Sequence, residues 1–374
     1  MDVAVILTYR CNSKCSMCYI WQNPTLPKEE VSLDTLAKIP SGIDYLNLTG
    51  GEPTLRDDLV DIVDLLYPKA MKLEISSNGL YPERIEPIIK KYPNVKIRFS
   101  LEGFEQTNNK IRGEDDGFNR KTHGLLRLKE LGGTDLGYAI TIQDDNIHDL
   151  VELFRFAEKN CFELATSTLH NGFQFHKSNN LLYDRLKVAR QIEVLIQEQL
   201  KTYNVKNWFR AYLNLGLISK ALGHPRLMRC TAATDFAFVD PWSIMYACNV
   251  CPDLKLGNLA EQSWDEIFNS PRIQAIRQNV YQCKQNCWMV GSAKTAMRHP
   301  KFARIPKGGP LLWVIQNKLR VTLGQRISFE RYVDYASVHK DPDVLLRPSF
   351  LGQSFKRKIE LKDEPHYTDT FFNV

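Results

Sequence analysis

The stretch Val3-Ala4-Val5-Ile6-Leu7-Thr8-Tyr9-Arg10-Cys11-Asn12-Ser13-Lys14-Cys15-Ser16-Met17-Cys18 decides how the rest of the chain reads. It opens with an apolar run, which predicts a strand over Val3–Thr8. Cysteines follow at C-x3-C-x2-C spacing, so the loop leaving that strand carries three soft thiolates within eight residues. Three thiolates can hold three irons of a cubane and leave the fourth iron open to a small ligand. A structural zinc site, or plain burial of small apolar side chains, uses the same residues.

Beyond this stretch, short β-like runs alternate with helical patterns up to about residue 170. The strands are expected at Val3–Thr8, Tyr45–Thr49, Lys72–Ser76, Lys96–Ser100, Gly137–Ile142 and Phe162–Thr168, with helices near 33–39, 57–67, 82–91, 119–132 and 147–159. This rhythm implies parallel strands joined by right-handed crossovers, and six such units suit an open barrel better than a flat sheet. In either architecture ligands gather at the carboxyl ends of the strands. The chemically distinctive residues fall at those ends: Cys11–Cys18, Gly50-Gly51-Glu52-Pro53, Ser77-Asn78-Gly79, and Ser100–Gly103. Four coincidences of this kind define a site.

Composition is that of a water-soluble α/β protein: 374 residues, 43% hydrophobic, 25% charged, net charge +6. No run of twenty apolar residues occurs, and no charged-then-apolar leader precedes the first strand, so a cytoplasmic location is expected. Cysteines there stay reduced and available to metal. Much of the positive charge lies late in the chain, at Lys318, Arg320, Arg326, Arg331, Lys356, Arg357 and Lys358. No continuous basic, aromatic-rich strip points to nucleic acid.

Residues 3 to about 170 resemble the radical S-adenosylmethionine superfamily, on several separate motifs. The resemblance implies an α/β fold, a partial (β/α)6 TIM-like barrel. It also implies a [4Fe-4S] cluster on Cys11, Cys15 and Cys18 whose open iron chelates S-adenosylmethionine. Met17 stands where the family often has an aromatic residue lining the adenine pocket. Gly50, Gly51, Glu52 and Pro53 match the segment that orients the methionine amino group. Ser76, Asn78 and Ser100 match positions near the ribose or carboxylate, Glu102 is an acid placed to accept from ribose hydroxyls, Arg112 matches an arginine near the carboxylate, and Ile140 the adenine-side strand, with Asn146 a later asparagine. Cleavage of the sulfonium bond then gives a 5′-deoxyadenosyl radical that abstracts hydrogen from substrate.

Five further cysteines, Cys230, Cys248, Cys251, Cys283 and Cys287, resemble the ligands of twitch and SPASM domains, as does Gly257-Asn258-Leu259 followed by Trp264 and Ile267. The resemblance implies a small C-terminal iron–sulfur domain with one auxiliary [4Fe-4S] cluster on Cys230, Cys248, Cys283 and Cys287, or else a zinc. Two departures stand out: Trp242-Ser243-Ile244 lacks the hairpin glycine usual before the second cysteine, and the closing pair is C-x3-C. Residues 1–225 are expected to form the barrel domain, 226–300 the auxiliary domain, and 301–374 a basic extension. A long helix is expected over 180–203, with Gly216 and Gly223-His224-Pro225 interrupting regular structure afterwards.

An auxiliary cluster able to accept an electron favours net oxidation of a small-molecule, sugar-like or peptide substrate. Epimerisation, with Cys251 as hydrogen donor, and a non-enzymatic zinc-binding scaffold are the alternatives. The absence of an N-terminal extension adds weight to a small or sugar-like substrate. A reductant such as flavodoxin or ferredoxin is implied. His170, Gln174, His176, Arg210 and Tyr212 are candidate substrate contacts, and Cys161 is expected in the barrel wall. Pro310-Leu311-Leu312-Trp313-Val314-Ile315, beside Lys318 and Arg320, reads as a patch for peripheral membrane contact or, preferably, for burial against the barrel.

Overall fold

Six short strands alternate apolar and polar residues with period two, although parallel strands covered by helices on both faces usually read as continuous apolar runs. The computed structural model, which describes residues 1–338 except 178, 284 and 300–308, explains the alternation. One face of strands β1 (Asp2–Ile6), β2 (Tyr45–Thr49), β3 (Leu73–Ser77), β4 (Lys96–Ser100), β5 (Leu136–Ile142) and β6 (Glu163–Thr168) buries Val3, Val5, Leu48, Ile75, Phe99, Ile140 and Leu164. Helices α1 (Leu33–Ala37), α2 (Leu59–Leu66), α3 (Glu86–Lys91), α4 (Glu105–Arg112), α5 (Gly117–Glu130) and α6 (Leu150–Lys159) connect the strands. The other face carries Asn47, Ser76, Ser100, Thr141 and Ser167, only partly covered. One face of the central sheet is thus apolar and buried under helices, the other polar.

All strand pairings from β1 to β6 are parallel, and each expected strand is present within one or two residues. The sheet does not stop at the expected domain boundary. Strand β7 (Phe236–Val239) pairs parallel to the free edge of β1, and β8 (Ile244–Tyr246) and β9 (Lys255–Asn258) add antiparallel, giving the order β6-β5-β4-β3-β2-β1-β7-β8-β9. The second cysteine region is therefore hydrogen-bonded to the strand that feeds the first.

Helix α7 (Arg185–Lys201) matches expectation, but α8 (Val205–Ala221) runs through Gly216 without interruption. A Cβ at Gly216 would stand 2.1 Å from Trp288 Cε2, so this glycine makes room for a buried indole whose Nε1 donates to Leu213 O. Helices α9 (Trp264–Phe268), α10 (Pro271–Gln282) and α11 (Val290–Arg298) follow. In α12 (Pro310–Thr322), Trp313 and Val314 are buried as expected, whereas Leu311, Leu312 and Ile315 are exposed. Cys161 is not in the barrel wall: it is exposed in the turn between α6 and β6, with φ 59°. The basic residues Lys356, Arg357 and Lys358 lie outside the described residues. No helix among the described residues is long and apolar enough to cross a membrane.

Charged side chains cluster near the amino ends of the strands. Arg98, 2% exposed, pairs with Asp135 at 2.7 Å and with Glu163, which also binds Arg210; Lys96 lies 3.3 Å from Glu74. Lys294 and Arg298 of α11 reach Asp2 at 3.4 and 2.6 Å. Burial opposes the charge on Glu74, but Lys96 and Arg98 outweigh it and hold this carboxyl at about 2. A carboxylate whose folded pKa lies below its unfolded value of about 4.3 contributes stability above that value and loses it as pH falls toward the folded one. Melting temperature should therefore drop steeply between about pH 4.5 and 2, and Glu74→Gln should lower it at pH 7 while flattening that acid limb. Parallel profiles for the two proteins would contradict this role.

Candidate active site

The cysteine loop is fixed from three sides. The ladder between β1 and β2 continues beyond the strands: Leu7 N donates to Thr49 O at 2.8 Å, Gly51 N to Thr8 O at 2.7 Å, and Glu52 N to Arg10 O at 2.8 Å. At this approach a Cβ on Gly51 would stand 2.3 Å from Arg10 O, and one on Gly50 2.5 Å from Thr8 O. The two glycines are thus needed first for the stem of the cysteine loop. Glu30 accepts both Arg10 Nε and Nη2, at 2.8 and 2.9 Å. From the third side, Lys14 N and Ser16 N donate to the carbonyls of Arg112 and Ile111 at the end of α4. That helix ends at Gly113, φ 61°, where a Cβ would meet Lys14 O at 2.9 Å.

Cys11, Cys15 and Cys18 line a single cavity of about 180 Å³ at the carboxyl ends of the strands. Of the expected cofactor residues, Met17, Gly50, Gly51, Ser100, Glu102 and Arg112 line it too. Arg112 Nη1 donates to Glu102 Oε1 at 3.0 Å and Arg112 Nε to Glu114 Oε1 at 3.1 Å, while Thr141 N donates to Glu102 Oε2 at 2.8 Å. Burial opposes the Arg112 charge, but Cys15, Glu114 and Glu102 more than compensate and raise its pKa. Burial pushes Glu102 above the usual carboxylate range despite Arg112.

The other expected residues stand one step back. Glu52 is fully buried, its Oε1 accepting from Thr54 N, Thr54 Oγ1 and Ser77 Oγ at 2.9, 2.7 and 2.8 Å, its Oε2 from Asn78 N at 2.5 Å. Asn78 Nδ2 donates to Asn12 Oδ1 at 2.6 Å, tying β3 to the cysteine loop, and Pro53 is buried in a short 3₁₀ turn. Ser76 bonds Asn47 at 3.0 Å and Glu74 at 3.2 Å, on the polar face of the sheet. Ile140 packs on the helix side of β5, and its neighbour Thr141 lines the cavity instead. Asn146 Nδ2 donates to Thr141 O at 2.9 Å.

Ser13, Ile20, Trp21, Thr141, Leu169 and Phe175 complete the wall with His170; of these only His170 is distinctive in the sequence. The His170 ring meets Phe175 edge-on at 5.0 Å, Nδ1 lies 3.1 Å from Thr168 O, and Nε2 is buried without a partner. Since a carbonyl only accepts, Nδ1 carries the hydrogen and Nε2 a lone pair. Burial, then Lys220, lower its pKa to about 3, so the ring is neutral. Arg210 is not near the cavity but in the charged cluster at the opposite end, and Tyr212 packs on Trp313.

The second thiol set gathers around Arg226, whose Nη1 donates to Cys287 O at 2.7 Å and lies 3.5 Å from Cys287 Sγ. Burial opposes the Arg226 charge, which Cys230, Cys287 and Cys283 raise, so these sulfurs share one electrostatic environment. Cys251 is 4% exposed, its N donating to Cys248 Sγ at 3.3 Å; it belongs to this second set and is not among the residues lining the first cavity. Ser243 takes φ 70°, the left-handed conformation for which a hairpin glycine is usual. Trp242 packs edge-on against Tyr9 of the first cysteine stem at 5.2 Å. Lys220 Nζ donates to Thr168 O at 3.0 Å beside the first cavity, and Asn286 Nδ2 donates to Lys220 O at 3.2 Å from the second cysteine loop.

All nine cysteines are free thiols. Among the described residues no three His, Cys, Asp or Glu side chains meet the geometry of a single metal ion. Burial raises Cys11 and Cys18 to about 12, so the metal must supply the drive to remove their protons. Three thiols converging on one cavity with a buried arginine and glycine backbone fit an iron–sulfur cluster with an open iron.

The radical SAM superfamily matches residues 5–157, and an iron–sulfur cluster-binding domain, SPASM, matches residues 230–288. Fe-coproporphyrin III synthase of Methanosarcina barkeri is 32% identical over 41% of this chain and 40% of its own length. AdoMet-dependent heme synthase of the same organism is 24% identical over 76% of this chain and 86% of its own. The solved structure of native anSMEcpe with bound AdoMet and Cp18Cys peptide shares the fold, with a TM-score of 0.57 and 13% identity over 86% of this chain and 96% of that one. The chain belongs to the radical S-adenosylmethionine superfamily and carries a C-terminal SPASM-type auxiliary-cluster domain. The chemistry of that superfamily is cleavage of S-adenosylmethionine to a 5′-deoxyadenosyl radical and hydrogen-atom abstraction.

Reconstituted under strict anaerobiosis, the chain should bind about eight irons, and the Cys11→Ala/Cys15→Ala/Cys18→Ala variant about four. Gly51→Ala should also fall toward about four, because its Cβ displaces the stem of the first cysteine loop. Full iron content in Gly51→Ala would contradict the packing argument.

Proposed function

We propose that this enzyme oxidises a hydroxyl-bearing, small-molecule or sugar-like substrate by removing a hydrogen atom, a proton and an electron, converting an alcohol to a carbonyl. The observation that carries the reading is the convergence of Cys11, Cys15, Cys18, Arg112 and His170 on one cavity at the strand ends. When bound there, the cluster and S-adenosylmethionine supply the radical that takes the hydrogen atom. Met17, Gly50, Gly51, Ser100 and Thr141 form walls for the cofactor, and Arg112, held by Glu102 and Glu114, presents a fixed cation to its carboxylate. Glu52, Pro53, Asn78, Ser76 and Ile140 act through the loops they hold. Neutral His170, with its unpartnered Nε2 on the wall, accepts a hydrogen bond from the substrate hydroxyl and orients it, and the hydroxyl proton leaves to water. Cys230, Cys248, Cys283 and Cys287 hold the auxiliary cluster that accepts the electron, with Cys251 as a fifth thiol beside them. A flavodoxin or ferredoxin supplies the electron that starts the cycle.

The names of the two Methanosarcina relatives support a small-molecule substrate. The peptide bound in the anSMEcpe structure favours a second reading, oxidation of a peptide side chain.

The test is an anaerobic incubation with S-adenosylmethionine, a reductant and panels of nucleotide sugars and peptides, in deuterated solvent. The expected outcome is 5′-deoxyadenosine together with a product two hydrogens lighter than its substrate. His170→Asn should still cleave the cofactor but form product roughly 100-fold more slowly. Deuterium gained at carbon with no loss of mass would replace oxidation by epimerisation.

A further inference from the structure

Residues 267–329 contain eleven Lys and Arg and not one Asp or Glu, although the chain holds 43 acidic residues elsewhere. Helix α12 lies in this stretch and is apolar on two opposite sides. Successive helical residues are turned by ~100°, so the buried residues Pro310, Trp313, Val314 and Asn317 occupy one arc of about 100°. Leu311, Leu312, Ile315, Leu319 and the C-cap residue Leu323 fall within an opposite arc of about 120°. These five are 55, 40, 49, 59 and 72% exposed. Lys318 stands on one flank of this ridge, Gln316 and Arg320 on the other. Lys318 Nζ donates to Leu200 O and Thr202 O at 2.8 and 3.0 Å and lies 5.5 Å from the ring of Tyr203, which is 95% exposed.

The buried arc accounts for the docking of α12 on α7 and α8, but nothing within the described fold uses the exposed one. We propose that this ridge lies in the plane of an anionic lipid surface, with the aliphatic side chains among the acyl chains, Tyr203 at headgroup level, and Lys318 and Arg320 on its flanks against lipid phosphates. Thirteen residues are too few to span a bilayer, so the contact is peripheral. Two features favour lipid over protein. Thr322, the one polar side chain within the ridge arc, turns its hydroxyl back onto Lys318 O at 2.8 Å, and a two-fold pairing of copies would set the cations on the flanks against one another.

The test sediments the full-length, iron-loaded protein with vesicles of phosphatidylcholine, with or without about 30 mol% phosphatidylglycerol. Cosedimentation is expected with the anionic vesicles and should weaken as salt is raised. Ile315→Glu/Leu319→Glu should lower the partition coefficient about tenfold or more, and Ile315→Ser/Leu319→Ser by less, with iron content and cofactor cleavage unchanged. Absence of wild-type binding, or equal binding by both double variants, would overturn the proposal. So would loss of self-association in these variants, which would assign the face to a second copy. Loss of binding to an acidic flavodoxin would assign it to an electron donor.

Discussion

The backbone ladder between β1 and β2 does not end with the strands, and the arrangement of the site rests on that continuation. Gly51 N and Glu52 N reach the carbonyls of Thr8 and Arg10 at 2.7 and 2.8 Å, which is possible only because no Cβ intervenes at Gly50 or Gly51. Through it the first cysteine loop inherits the rigidity of the sheet. Buried Glu52 then carries the constraint to β3, where Ser77 and Asn78 bind the carboxylate and Asn78 returns to Asn12. The end of α4 closes the circuit through Lys14 and Ser16. Three thiols are thereby placed by backbone hydrogen bonds rather than by the metal alone.

The two cysteine sets belong to one hydrogen-bonded sheet, because β7 occupies the edge of β1. Trp242 against Tyr9, and Lys220 between Thr168 and the Asn286 loop, add side-chain links across the same junction. A fixed separation between two redox sites suits an oxidation in which an electron must leave substrate after a hydrogen atom has gone. The charged cluster of Arg98, Asp135, Glu163 and Arg210 lies at the far end of the strands from the thiols.

Much of the barrel was legible because its strands are short, apolar on one side and punctuated by glycine and proline. The elements that escaped are instructive. Helix α4 is polar along most of its length and buries only Asn108, Ile111 and Arg112, so no apolar stripe announces it. Helix α8 was hidden by Gly216, whose missing side chain serves Trp288, a residue 72 positions later in the chain. Within the site, residues with a motif were found, whereas Leu169 and Phe175 come from an irregular segment after β6 and carry no pattern. Glu52 and Asn78 stand outside the cavity lining, bonded to protein groups. Their chemistry was visible, but sequence cannot distinguish a carboxylate that meets a ligand from one that meets four protein donors.

Electron paramagnetic resonance of the reduced, reconstituted protein is the most direct measurement of the central claim, that the first cysteine loop leaves one iron open to S-adenosylmethionine. It is best made on a variant lacking Cys230, Cys248, Cys283 and Cys287, so that only the first cluster contributes. A clear shift in the cluster signal on adding the cofactor is expected, and in Gly51→Ala loss of the cluster signal itself. An unchanged signal at saturating cofactor would contradict the claim.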